Sequence, residues 1–172
     1  MRSKNNRRGN ATVEFTLVGL PLVFLLLSIA SMCFAMFTLH TIQESVEQSA
    51  RFVITHGSTC SSGSNSCAVT VGTIADTIAS AAPGIIRSSL SITLIPNSGT
   101  GNQTTCNPVY TCHGNSTPWP PSSNDDNDPG KDIRIVADFN YSSPVAMFWP
   151  GVGSSQLGIL TFHAISRQRL MF

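Results

Sequence analysis

The apolar positions of this chain fall into two regimes. From Phe15 to Gln43 there is no Asp, Glu, Lys or Arg, and residues 15–39 read FTLVGLPLVFLLLSIASMCFAMFTL. That run exceeds the roughly 20 apolar residues needed to cross a bilayer as a helix. Beyond it, Ile42, Val46, Ala50 and Val53 recur at helical spacing, with Glu44, Glu47, Gln48 and Arg51 on the other faces. This predicts an amphipathic helix with one narrow apolar stripe. Glu47 and Arg51 sit one turn apart with the acid first, the better order for an exposed pair, and Gly57 is a natural stop. The two regimes together predict one rod from Asn10 to about Thr55, roughly 70 Å long at about 1.5 Å per residue. Pro21, two residues after Gly19, predicts a kink or loosened turn of the kind membrane helices tolerate.

The rest of the chain alternates between short patterns and polar connections. Residues 69–82, VTVGTIADTIASAA, place Val71, Ile74, Ala75, Ile78, Ala79 and Ala82 on one helical face, and Pro83-Gly84 breaks the pattern. Leu90, Ile92 and Leu94 alternate, as do Ile133, Ile135, Ala137, Phe139 and Tyr141. Both read as strands, and a third candidate near the C-terminus would carry Leu160, Phe162 and Ala164 on one face. The expected fold class is α+β: a long N-terminal transmembrane and amphipathic helix packed on a small three-stranded antiparallel sheet with a second helix. The expected organisation is a basic leader over 1–9, the helix over 10–56 and an external domain over 57–172. Within that domain, residues 97–131 form a polar loop dominated by Asn, Ser, Thr, Gly and Pro. A loop that long in a compact domain is functional or disordered. Trp119, between prolines, is placed to dock on the domain. Asp125, Asp126, Asp128 and Asp132 could hold Ca²⁺, but their order does not match the EF-hand loop, and a solvated turn is expected.

Charge gives the rod a direction. Only 11% of the 172 residues are charged, and the formal net charge is +1. Arg2, Lys4, Arg7 and Arg8 fall in the first nine residues, leaving six basic against nine acidic residues in the remainder. Basic residues on the N-terminal side alone predict a single-pass topology with the N-terminus cytoplasmic. A secretory signal peptide has a shorter apolar region ending in a small-x-small site, which is lacking here, and Met32 before Cys33 does not fit lipoprotein processing. No basic and aromatic surface continues from the leader, so no nucleic-acid partner is expected.

Four of the five cysteines follow the span. Three pairings are possible in an oxidising compartment, and two local bridges, Cys60–Cys67 and Cys106–Cys112, are the simplest. Zinc at Cys112 and His113 is the rival, but the spacing lacks a C-x-x-C pair, so no metal site is expected. Asn10, Asn102, Asn115 and Asn140 head Asn-x-Ser/Thr sequons, as chance allows in so polar a chain. No nucleophile elbow, P-loop, dinucleotide turn or ligand-spaced His pair occurs, and His40, His56, His113 and His163 are scattered. The expectation is a protein with no catalytic residues and no cofactor.

The opening residues also carry a resemblance. A basic leader ends in Gly9, Glu14 is the fifth residue after it, Phe15 follows, and a long apolar helix comes next. This resembles the type IV pilin signal. More closely, RRGNATVEFTLVGLPLVFLLL followed by QSARFVITHG resembles the TadE-like minor pseudopilins of the tight-adherence (Flp) pilus machinery. VADFNYSSPVAMFWPG and LGILTFHAISRQRL are similar to that family's closing pattern. The resemblance is specific over roughly residues 7–56, looser over 133–169, and says little of 57–131. QSARF departs from the Gly-Ala-Arg type stretch common in the family.

The resemblance implies a pilin-like fold, cleavage between Gly9 and Asn10 by a prepilin peptidase, and recognition and assembly roles for Glu14 and Phe15. It implies as further partners an inner-membrane assembly platform, the major Flp pilin and other minor pseudopilins. The expected location is the bacterial inner membrane with the C-terminal domain periplasmic, and entry into a cell-surface pilus is open. The expected function is assembly or initiation of an adhesive Flp-type pilus. The alternative is a permanently anchored periplasmic binding or sensor domain with residues 97–131 as its ligand surface.

Overall fold

A computed structural model describes residues 8–62, 65–81, 85–142 and 159–171. Its first element, α1, is a single helix, Arg8–His56, of 49 residues. It ends where the residue pattern says it should. Gly57 takes φ 60° and its N–H donates to the Val53 carbonyl at 2.9 Å, a left-handed stop that glycine adopts without Cβ strain. A two-residue hairpin follows, β1 (Ser61–Ser62) and β2 (Asn65–Ser66), flanked by the Cys60–Cys67 disulfide. Then comes α2, Val71–Ala81. Its start is a reciprocal cap: Thr73 N–H donates to Thr70 Oγ1 at 3.2 Å, and Thr70 N–H to Thr73 Oγ1 at 2.9 Å. Thr73 here fills the position that Glu or Gln holds in the usual capping box. The expected break at Pro83-Gly84 lies outside the described residues.

The sheet is antiparallel and four-stranded: β3 (Leu90–Ile95), β4 (Thr104–Cys106), β5 (Asp132–Ser142) and β6 (Ile159–Arg169), in the order β4-β3-β5-β6. Register aligns Ile92 with Ala137 and Ala137 with Ala164, and the next row aligns Leu94, Ile135 and Ser166. These rows form the inner face. Against them packs the α1 stripe Ile42, Val46, Ala50 and Val53, and the α2 residues Ile74, Ala75 and Ile78 join the same core from beside α1, all buried. Burying one such aliphatic side chain is worth about 1.5–3 kcal/mol, so the stripe is the main hold of helix on domain. Small buried side chains on both surfaces, Ser45, Ser49 and Ala50 on α1 and Ala137, Ala164 and Ser166 on the sheet, leave room for close packing.

The expected three-stranded sheet is corrected by β4. It lies inside the segment expected to be a polar loop and pairs Cys106 with Ile92. Three residues are too few to display a period of two, and tertiary pairing recruits them. Cys106, Val109, Cys112 and Trp119 of the same segment are buried, so much of 97–131 belongs to the fold. The expected solvated acidic turn is corrected as well. Asp126 is fully buried and accepts from Ser98 N–H at 2.6 Å and Ser98 Oγ at 2.5 Å. Asn127 Oδ1 accepts from Ser58 N–H at 3.0 Å, which ties this turn to the end of α1. Leu160, expected on the core face with Phe162 and Ala164, is 55% exposed because it stands at the sheet's end.

The long strands run beside the helix rather than across its tip. At one end the Asn127–Ser58 bond fixes them near the end of α1. At the other, Tyr141 Oη donates to the Ser31 carbonyl at 3.5 Å. An eleven-residue strand is about 36 Å long at ~3.3 Å per residue. Helix residues 31–56 span about 38 Å. The lengths agree, and Ser31, Ala35, Thr38 and Leu39 are half-buried where the helix meets the domain.

Candidate functional site

The residues singled out at the N-terminus lie on the free half of α1. Gly9 and Asn10 are in its first turns, with Arg8 its first residue. Arg2, Lys4 and Arg7 lie outside the described residues. Glu14 is exposed, and among the described residues it has no ion-pair partner. Phe15 is 78% exposed, and its ring lies over Gly19 one turn on, where an added Cβ would meet Phe15 Cε1 at 3.8 Å. The structure therefore presents Glu14 and Phe15 side by side on a bare helix. Gly9 and Asn10 lie one turn earlier on the same helix.

That half of the helix suits an apolar medium. The candidate membrane window has none of its residues buried within the chain, and the helix is long and apolar enough to cross a bilayer. Hydroxyls within it are satisfied locally. Thr16 donates to the Thr12 carbonyl at 2.5 Å, Ser28 to Phe24 at 2.8 Å, and Thr38 to Phe34 at 2.8 Å. Such back-bonding removes the cost of an unpaired hydroxyl away from water. The helix continues through Pro21, which has no N–H to offer the Leu17 carbonyl. Cys33 is a free, exposed thiol on the same segment.

The domain carries the two local disulfides, Cys60–Cys67 with Cα atoms 5.0 Å apart and Cys106–Cys112 at 5.6 Å. Two histidines that look isolated in sequence acquire carboxylate partners. His113 Nδ1 meets Asp76 at 2.7 Å beside α2, and His163 Nδ1 meets Asp138 at 2.5 Å on the outer sheet face. In the second pair register alone places the residues opposite one another, so the strand pattern held the signal. Arg167 and Arg169 both hydrogen-bond Asp132, which holds its carboxyl below the usual carboxylate range. These are solvent-facing pairs that order the outer face. Among the described residues no three His, Cys, Asp or Glu side chains converge as a metal site.

A family model described as TadE-like protein matches residues 9–51. The match opens at Gly9 and ends five residues before α1 does, so it lies within the helix and stops short of the sheet. No curated protein and no solved structure matches the chain at a significant level. The free helix half, with its exposed Glu14 and Phe15, lies within the part that carries the likeness, and over residues 9–51 the chain is similar to TadE-like proteins.

Proposed function

We propose that this chain is a minor pseudopilin without enzymatic activity, which takes part in assembling or initiating an adhesive Flp-type pilus. In this reading it is anchored in the bacterial inner membrane with its N-terminus cytoplasmic and its disulfide-bonded domain periplasmic. A prepilin peptidase cuts between Gly9 and Asn10. Gly9 leaves no side chain at the scissile bond, so a narrow cleft can reach the backbone. The cut removes Arg2, Lys4, Arg7 and Arg8, four charges that hold the leader at an anionic surface. It also frees an amine at Asn10, about one helical turn from Glu14. A carboxylate at the bilayer centre costs roughly 2.5–3.5 kcal/mol on insertion scales. A neighbouring subunit's amine offsets that cost when it pairs with Glu14, and so sets register. The other partners are the inner-membrane platform, the major Flp pilin and other minor pseudopilins.

The observation that carries this reading is the division of one continuous helix. Among the described residues its membrane-length apolar window has no buried residue, while its stripe from Ile42 to Val53 is part of the domain core. A helix built this way can leave the bilayer and pack against like helices without unfolding its domain. The sensor alternative loses support because Cys106, Trp119 and Asp126 of the 97–131 segment are buried rather than presented to a ligand. The test is the mass of the mature N-terminus. It should begin at Asn10, and Met1 should be retained in Gly9→Ala and in cells lacking prepilin peptidase. An intact Met1 in cells that make pili would sink the proposal. Glu14→Ala should leave cutting intact and impair pilus assembly.

A further inference from the structure

The sheet meets α1 lower than the end of the apolar run, which places part of the domain at bilayer depth. Glu14 marks one boundary of the apolar helix. A hydrocarbon core of about 30 Å takes about 20 helical residues, which from Glu14 reaches roughly residue 34. Any tilt moves that exit further along the helix. The first contact of the sheet is at Ser31, through Tyr141 Oη, and so falls inside the far boundary. At that level Met32 and Phe34 are 69% and 64% exposed on the helix, and Leu160 is 55% exposed on the sheet. Leu160 is the cross-strand partner of Tyr141, whose ring stacks on Phe162 at 5.6 Å between centroids. Large apolar side chains are thus exposed on both the helix and the sheet near this level.

The polarity of the strands limits how far this end can sink. One step along the ladder, Thr161 Oγ1 donates to Asn140 Oδ1 at 3.0 Å, and two steps further His163 pairs with Asp138. Unpaired strand backbone is not tolerated within hydrocarbon. Only the last one or two residues of the ladder are suited to the boundary between headgroups and acyl chains. A tyrosine, apolar in body and polar at its tip, favours that depth.

We propose that the Tyr141–Leu160 pair, one step before the terminal Ser142–Ile159 pair of the β5–β6 ladder, is seated in the lipid interface on the domain side of the membrane. Helix and domain then bind the bilayer as one unit, with the bilayer itself as the partner of this surface. The contact of Tyr141 with Ser31, inside the apolar run of the helix, argues for lipid as the occupant. The inference rests on the membrane-anchor reading of α1.

The test uses the full chain in phosphatidylethanolamine–phosphatidylglycerol vesicles, with Cys33→Ser removing the free thiol. Single spin labels are attached through Leu160→Cys, Leu25→Cys and Asp128→Cys, and collision rates with oxygen and with a water-soluble nickel chelate are compared. The oxygen-to-nickel ratio should be highest at position 25, several-fold lower but clearly raised at 160, and lowest at 128. A ratio at 160 equal to that at 128, with 25 still deep, overturns the seating and leaves the anchor standing. Low collision with both reagents at 160 means that protein covers this end, and also overturns it. A water-exposed label at 25 overturns the anchor and the seating together.

Discussion

Asp126→Ala tests whether the 97–131 segment is structure or a free surface loop. The Asp126 carboxylate is fully buried and accepts from Ser98 N–H at 2.6 Å and Ser98 Oγ at 2.5 Å. Ser98 Oγ in turn accepts from Asn102 Nδ2 at 3.0 Å, so one carboxylate organises the start of the segment from 28 residues away. Hydrogen bonds to a charged group contribute about 1.5–3 kcal/mol, and neutral ones nearer 1. Ser98 itself is exposed, so water reaches its donors after truncation. This limits the loss to about 2–3 kcal/mol. Out of a typical 5–15 kcal/mol, that is a large fraction, and for a domain of this size it lowers the thermal midpoint by roughly 6–15 °C. Near-UV circular dichroism of the full chain in detergent follows the transition through buried Trp119. Ser98→Ala should cost about 1 kcal/mol alone and less in the Asp126→Ala background, because both remove the same bond. A stability for Asp126→Ala within about 0.5 kcal/mol of the parent, or strict additivity with Ser98→Ala, would refute the argument.

Two further substitutions probe other parts of the frame. At Gly72 an added Cβ would stand 2.7 Å from the Asn115 carbonyl oxygen and 2.8 Å from its nitrogen. Gly72→Ala should therefore separate α2 from the segment that receives its N–H groups and cost about 1–3 kcal/mol in urea denaturation; an unchanged midpoint counts against the contact. Arg167 and Arg169 lower the Asp132 pKa, so its contribution is complete above the ordinary carboxylate value of about 3.9 and is lost as pH falls through the lowered folded value. The stability difference between the parent and Asp132→Asn should be constant from pH 7 to about 5 and shrink below about 4. A difference that grows on acidification contradicts the ion pairs.

What could be read from the residues depended on how far each signal reached along the chain. The stripe Ile42, Val46, Ala50 and Val53 was legible because four residues at helical spacing bury together on one helix. The disulfides were legible because partners six and seven residues apart need only a turn. Burial of Asp126 was not, since it depends on Ser98, and β4 was not, since three residues carry no period. The residues singled out at the N-terminus show a different limit. Gly9, Glu14 and Phe15 stand out only through family likeness, since the described structure shows Glu14 and Phe15 exposed on the helix.

The boundary between the free and the domain-packed parts of α1 is the instructive case. Residues 31–39 have the same apolar composition as residues 15–30, so hydropathy treats them as one span. Strand length separates them. The amphipathic part of the helix, residues 42–56, spans only about 22 Å, whereas an eleven-residue strand needs about 36 Å of cover. Two such strands laid along the helix must extend past its amphipathic part into the apolar run, and Tyr141 on Ser31 is where they stop. The long alternation from Ile133 to Tyr141 thus already implied a domain reaching along α1 into its apolar run, once its length was set against the helical rise.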